Sequence, residues 1–357
     1  MRCFLEQYGV GIFTLVVVAI LLGFAPRLGN YIKNATNEQI ANVDEIASDR
    51  VRNADRPAEP KESSDIVYAC LYNNGELVLS AEEITNKENI KKDFGSVVVK
   101  STELPKWHEN ASDVLTVRFE TAIKPTTCRS WFSEMKNLVS IQNLEYLYTN
   151  ECKTMNCMFW ACHSLISINL KYFDTTKVLN MHGMFFENYE LSSLNIQSFN
   201  TSHVKNMRAM FHGCKKLTVI DISNFDTSSC AEMSEMFNSC SSLLTLDVSS
   251  FNTSSCTSMN DMFALCKSLT ILDLSNWNTE NVTDMWHMFT SSRNLQILDL
   301  KNFNTRKVEN MDGMFNDTPL LKLIKVGANW TTALAESNNK TTDMFLNCGT
   351  DHVTFTK

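Results

Sequence analysis

The sequence lacks the arrangements that most often carry chemistry. None of its 12 cysteines stands in a CxxC pair, the close spacing from which structural zinc sites are built. It has no HExxH, no nucleophile elbow and no glycine-rich phosphate loop. The histidines at 163, 182, 203, 212 and 287 share no periodic position, so no titratable group recurs where a second could meet it. Catalysis, a cofactor and a resident metal site are therefore not expected. A basic balance is missing too: the net charge is −8, which argues against nucleic acid as a partner.

What is present is a repeat. The pattern MxxMF occurs at 155–159, 181–185, 207–211, 233–237, 259–263, 285–289 and 311–315, each closing Phe 26 residues after the last. Degenerate copies flank it: Cys128, Trp131 and Phe132 upstream, then Thr341, Met344 and Phe345 downstream after a four-residue insertion. Imperfect ends are what a capped solenoid requires.

Counted from the closing Phe, apolar residues fall at −7, −4, −1, 0 and +3, a helical interval. In one copy these are Cys230, Met233, Met236, Phe237 and Cys240. The pattern then alternates, with Leu246 and Val248 on one side and Thr245, Asp247 and Ser249 on the other, as in a strand with one buried face. Asn252, Thr253 and Ser254 supply a turn and a candidate N-cap for the next helix. The expected fold class is α/β: a leucine-rich-repeat-like solenoid with one helix and one short parallel strand per repeat. A single unit buries too little apolar surface to offset its ordering cost, so neighbours and caps must hold it.

This periodicity also explains the stretch CAEMSEMFNSC at 230–240, whose thioethers and thiols suggest a soft-metal site. Fourteen of the 17 methionines fill the two Met slots of the seven full repeats, and Cys162, Cys214, Cys240, Cys266 and Cys348 share the +3 slot. These are packing ladders of gap-filling side chains and small buried thiols. Neighbouring coils bring Cys214, Cys240 and Cys266 toward disulfide reach, with buried thiols the expected state.

Upstream, no charge interrupts 9–25, long enough for a short membrane helix. Pro26 directly after the small-residue site disfavours cleavage, so 1–29 is expected to be an uncleaved anchor and 30–64 a stalk and linker. The segment IVYACLYNNGELVLS reads as a hairpin around Asn74 and Gly75, and strand-like runs at 97–100 and 114–119 follow. The expected division is a β-rich cap over 65–127 and repeats over 128–357.

The phrases LDVSSFNTSSCTSMNDMFALCKSL and LDLSNWNTENVTDMWHMF, with IVYACLYNNGELVLS and AIKPTTCRSWF ahead of them, resemble the BspA-like leucine-rich-repeat surface proteins of bacteria. The resemblance covers about 65–357 and implies display at the cell surface and adhesion to host or neighbouring-cell ligands. It brings no catalytic residues.

Two rows are candidate ligand sites. The outward strand slot at +10 carries Asp221, Asp247, Asp273 and Asp299, followed by Lys325. Such a row could meet a basic partner or hold Ca²⁺, whose ligands are oxygens, or simply be a solvated polar face. The slot after the closing Phe carries Trp160, Phe186 and His212 in successive repeats, either tucked under a connection or exposed as an aromatic strip suited to protein binding. The expectation is a membrane-anchored surface module that binds a protein or cell-surface ligand, with a structural envelope spacer as the alternative.

Overall fold

The computed structural model describes residues 56–356. The expected anchor over 1–29 and most of the stalk lie outside them. Among the described residues no helix is long and apolar enough to cross a membrane.

The hairpin consists of β1 (Ile66–Tyr72) and β2 (Glu76–Ser80). Gly75 turns it at φ +82, donating its N–H to the Tyr72 carbonyl at 3.0 Å. Strand β3 (Ile90–Val98) pairs antiparallel with β1. It begins earlier than the 97–100 run suggested. On the other side β2 pairs in parallel with β4 (Thr116–Phe119), and β4 with β5 (Ser140–Gln142). The hairpin therefore covers the first rung by joining its sheet, which removes an open apolar edge. Trp107, in a 3₁₀ segment at Lys106–Asp113, plugs this junction and donates Nε1–H to the Trp131 carbonyl at 2.7 Å.

Beyond it the chain winds into stacked coils. Short parallel strands recur at β6 (Ser167–Asn169), β7 (Ser193–Asn195), β8 (Ile271–Asp273), β9 (Ile297–Leu300) and β10 (Leu323–Val326), with β11 (Thr354–Phe355) beside β10. Partners such as Leu272 and Leu298 stand one repeat apart, so apolar residues stack on their equivalents. A second ladder of single parallel bridges links Thr154, Asn180, Asn206, Glu232, Ser258, Asp284 and Asn310.

The expected helix of each repeat is absent, and the unit is a coil of tight turns with a short strand in most copies; the copies at 219–221 and 245–247 form no strand, contrary to the one per repeat expected. The MxxMF segment runs through successive turns, such as Met158 N–H to Met155 O and Trp160 N–H to Cys157 O, both at 3.2 Å. Left-handed residues recur at −2 and +2, as at Cys157 and Ala161 or Glu235 and Ser239. Each such residue breaks the helical hydrogen-bond run. Alternate N–H groups then face the next coil: Met155, Cys157, Phe159 and Ala161 donate to carbonyls of Asn180, His182, Met184 and Phe186 at 2.7–3.0 Å. A left-handed non-glycine residue costs roughly 1–2 kcal/mol, and these inter-coil bonds offset it. The only α-helix among the described residues, α1 (Ala333–Ser337), lies outside the seven full copies.

Both arrangements bring −4, −1, 0 and +3 to one side, so the core is as the apolar spacing implies. All fourteen repeat methionines are buried. Nine phenylalanines, from Phe132 through Phe345, form one stack with ring centroids 5.3–5.8 Å apart. The helix-capping role expected around Thr253 has no helix to serve. Instead Thr149, Thr175, Thr201, Thr227, Thr253, Thr279 and Thr305 are buried, and each hydroxyl donates to a carbonyl of the following coil at 2.7–3.0 Å. Buried hydroxyls need such partners, so the row fixes register between coils.

Candidate functional site

The turn segment positions Trp160, Phe186 and His212 at one point of three consecutive coils. They stack: Trp160 and Phe186 lie 3.7 Å apart and 10° from parallel, Phe186 and His212 4.5 Å apart and 23° from parallel. All three are half-buried, so they neither enter the core nor stand free. Gly183 makes room for the indole. A Cβ there would come within 2.6 Å of Trp160 Cε3 and Cζ3.

A second row runs beside it. His163 stacks on Tyr189 at 4.5 Å, and Lys215 Nζ sits 3.9 Å from the Tyr189 ring centroid, a cation–π contact. His163 Nε2 lies 3.8 Å from Glu187 Oε2. This row falls at +4, where periodicity gives no apolar residue, so sequence reasoning passed over it. Three successive ring or cation side chains in one slot were the available signal.

Polar contacts close the end of the strip. His212 Nδ1 is 3.3 Å from Glu235 Oε2, and Arg208 Nη2 is 2.6 Å from Glu235 Oε1. The bond to His212, with Arg208 adding to it against desolvation, pulls the Glu235 carboxyl from its ordinary 4.5 to about 2. The neighbouring His182 ring is pushed down by burial. Further along this face the slots turn acidic, and burial holds Asp261 and Asp284 above the usual carboxylate range.

The +10 row does face outward, with Asp247 and Asp273 exposed and Asp221 and Asp299 half-buried. Each carboxylate is already engaged in its own turn. Asp221, Asp247 and Asp273 accept the N–H of Ser223, Ser249 and Ser275 at 2.9–3.1 Å, and Asp299 that of Lys301 at 3.3 Å. Lys325 Nζ lies 3.5 Å from Asp299. The two candidate rows lie in different segments of the coil and do not converge. Among the described residues no group of three or more His, Cys, Asp or Glu side chains is placed to hold a metal ion.

Four of the five cysteines of the +3 slot are buried donors, while Cys348 is half-buried and accepts from the Thr318 hydroxyl. Cys162, Cys214, Cys240 and Cys266 send Sγ–H to the carbonyls of Phe132, Phe185, Phe211 and Phe237 at 3.1–3.2 Å. Asn188 and Ser292, in the same slot, donate to Phe159 and Phe263 at 2.9 and 2.7 Å. Burial pushes the Cys240 thiol up to about 12, so it is neither nucleophile nor metal ligand near neutral pH. All described cysteines are free thiols.

Two solved structures match the chain at low similarity. A leucine-rich repeat protein from Bacteroides ovatus is 12% identical over 74% of this chain and 84% of that one, with a TM-score of 0.34. A leucine-rich repeat protein from Eubacterium ventriosum is 11% identical over 80% and 87%, with a TM-score of 0.26. No curated protein matches the chain. One family model matches twice, over 126–244 and 210–330, and the matched coils carry both candidate rows. With more than half of its length covered in this way, the chain belongs to the family described as Mycoplasma protein of unknown function, DUF285.

Proposed function

We propose that this protein is a surface-displayed binding module, held to the membrane by residues 1–29, that engages a protein or cell-surface ligand and carries out no catalysis. The observation that carries this reading is the stacked strip Trp160, Phe186 and His212, half-exposed and rimmed by Arg208 and Glu235. Large rings held in place lose little entropy on binding, and aromatic and arginine side chains dominate interface hot spots. The resemblance of the repeated phrases to BspA-like surface proteins supports adhesion as the biological setting. Partner recognition through the Asp221, Asp247, Asp273 and Asp299 row, by a basic partner or Ca²⁺, is the weaker form of the same reading, because those carboxylates serve turns. The alternative is a spacer with no specific ligand.

Two measurements test this. Protease shaving of intact cells should release peptides from 65–357, and release only after lysis would overturn display. Beads coated with the purified chain should then adhere to host or neighbouring cells. A triple alanine variant at 160, 186 and 212 should lose roughly 30-fold or more in adhesion if these residues form a hot spot. Adhesion by neither chain would favour the spacer, and equal adhesion by both would move recognition away from this strip.

A further inference from the structure

Eleven cysteines lie among the described residues, and in a single case two of them meet sulfur to sulfur. That case is Cys128 and Cys152. Their sulfurs are 3.2 Å apart, in thiol-to-thiol contact, with Cys152 Sγ also 3.4 Å from the Pro125 carbonyl, whereas Cys162, Cys214, Cys240 and Cys266 point only at carbonyls and Cys230 and Cys256 at the carbonyls of Glu232 and Ser258. Both residues are fully buried. Cys128 belongs to the degenerate coil that ends in Phe132, and Cys152 to the first full one, 24 residues on. The contact therefore bridges the coils directly after the cap.

We propose that Cys128 and Cys152 are a disulfide site that staples the degenerate first coil to the first full coil when the chain folds in an oxidising compartment. Closing the bond requires the sulfurs to move from 3.2 Å to about 2.05 Å, a small displacement for two side chains already facing each other. The oxidant is a small-molecule or protein disulfide, such as oxidised glutathione. One thiol loses its proton and attacks that disulfide, and a first glutathione thiolate leaves as the mixed disulfide forms. The second cysteine, also deprotonated, then displaces the remaining glutathione. The two electrons and the two protons given up by the cysteines end on two molecules of reduced glutathione.

The timing follows from burial. Both sulfurs are inaccessible once the coils close, and burial holds the Cys128 thiol well above its ordinary range. Thiolate is the attacking species, so exchange belongs to folding, before the coils dock. The folded chain should then neither gain nor lose the bond readily.

The test refolds the full chain from denaturant in a glutathione redox buffer, blocks free thiols with iodoacetamide in denaturant and maps peptides without reduction. The expected result is one cross-linked pair joining the peptides of Cys128 and Cys152, lighter by two hydrogens, with the other thiols alkylated. Alkylation of both Cys128 and Cys152, or linkage of either to another cysteine, overturns the proposal. Cys152→Ala should leave Cys128 fully alkylated. The unfolding midpoint of the oxidised wild type should fall when a reductant is present throughout, and an unchanged midpoint would equally defeat the staple.

Discussion

Gly183 lies against the indole face of Trp160 from the neighbouring coil, at φ +57 and with no room for a Cβ, which would stand 2.6 Å from two ring carbons. Space and conformation both demand glycine here. Gly183→Ala should destabilise the chain by about 1–3 kcal/mol, part from the left-handed backbone and part from the displaced ring. In a Trp160→Ala background the clash disappears and only about 1 kcal/mol should remain. Denaturant midpoints for the four chains of this cycle measure the coupling, and full additivity would show that the ring does not rest on Gly183.

The donor role of the +3 slot is checked at Cys240, whose thiol reaches the Phe211 carbonyl. Cys240→Ser should be nearly neutral, because Ser292 already makes the equivalent bond at 2.7 Å. Cys240→Val is apolar and slightly larger and removes this donor, but the Phe211 carbonyl keeps its bond from the Cys214 N–H at 3.1 Å, so the cost should be only about 0.5–1.5 kcal/mol. Equal stability of the two variants would reduce the slot to apolar filling.

The phenylalanine stack makes a positional prediction. Phe237 lies mid-stack with rings on both sides, while Phe345 ends the stack and is half-exposed. Phe237→Ala should cost about 3–5 kcal/mol, as for a fully enclosed aromatic. Phe345→Ala should cost well under half of that. Thermal or denaturant unfolding of the two variants compares them directly.

The acidic side of stability rests partly on Glu235. Its folded-state value is depressed from 4.5 to about 2, so its stabilisation is complete above 4.5 and is lost as pH falls through 2. The loss should be on the order of 2 kcal/mol after allowance for solvent screening at a partly exposed pair. Glu235→Gln should remove this part of the pH dependence between those limits. A variant whose acid profile overlays that of the wild type would place the acid sensitivity elsewhere.

The buried face of every coil was legible from sequence, and its backbone was not. Residues at −4, −1, 0 and +3 meet on one side in a helix and also in a run of turns with left-handed steps, so Met233, Met236, Phe237 and Cys240 cannot tell the two apart. Glycine is the usual mark of a left-handed step, and only Gly183, Gly213 and Gly313 provide it here; elsewhere the step falls on residues such as Ala209, Glu235 and Leu265. The strand slots were readable because their alternation has a period of two that no helix shares. The row of Trp160, Phe186 and His212 was visible as a shared slot. Its ring stacking was not, because it depends on how far one coil rises above the next, which no single repeat encodes.

The aspartate row separates a turn device from a binding surface. Asp247 Oδ1 accepts the Ser249 N–H at 3.0 Å, and an asparagine could accept the same bond, as Asn169 does from Lys171 at 3.1 Å. Asp247→Asn should therefore be neutral in stability within about 0.5 kcal/mol, whereas Asp247→Ala should cost roughly 0.5–1.5 kcal/mol through the lost turn bond. Asparagine removes the charge and exchanges one carboxylate oxygen for an amide donor. A chain with asparagine at 221, 247, 273 and 299 should stay folded and adhere to cells as wild type does if the aromatic strip is the contact surface. Undiminished stability with lost adhesion would instead transfer recognition to the carboxylates, and a basic partner would become the ligand to seek.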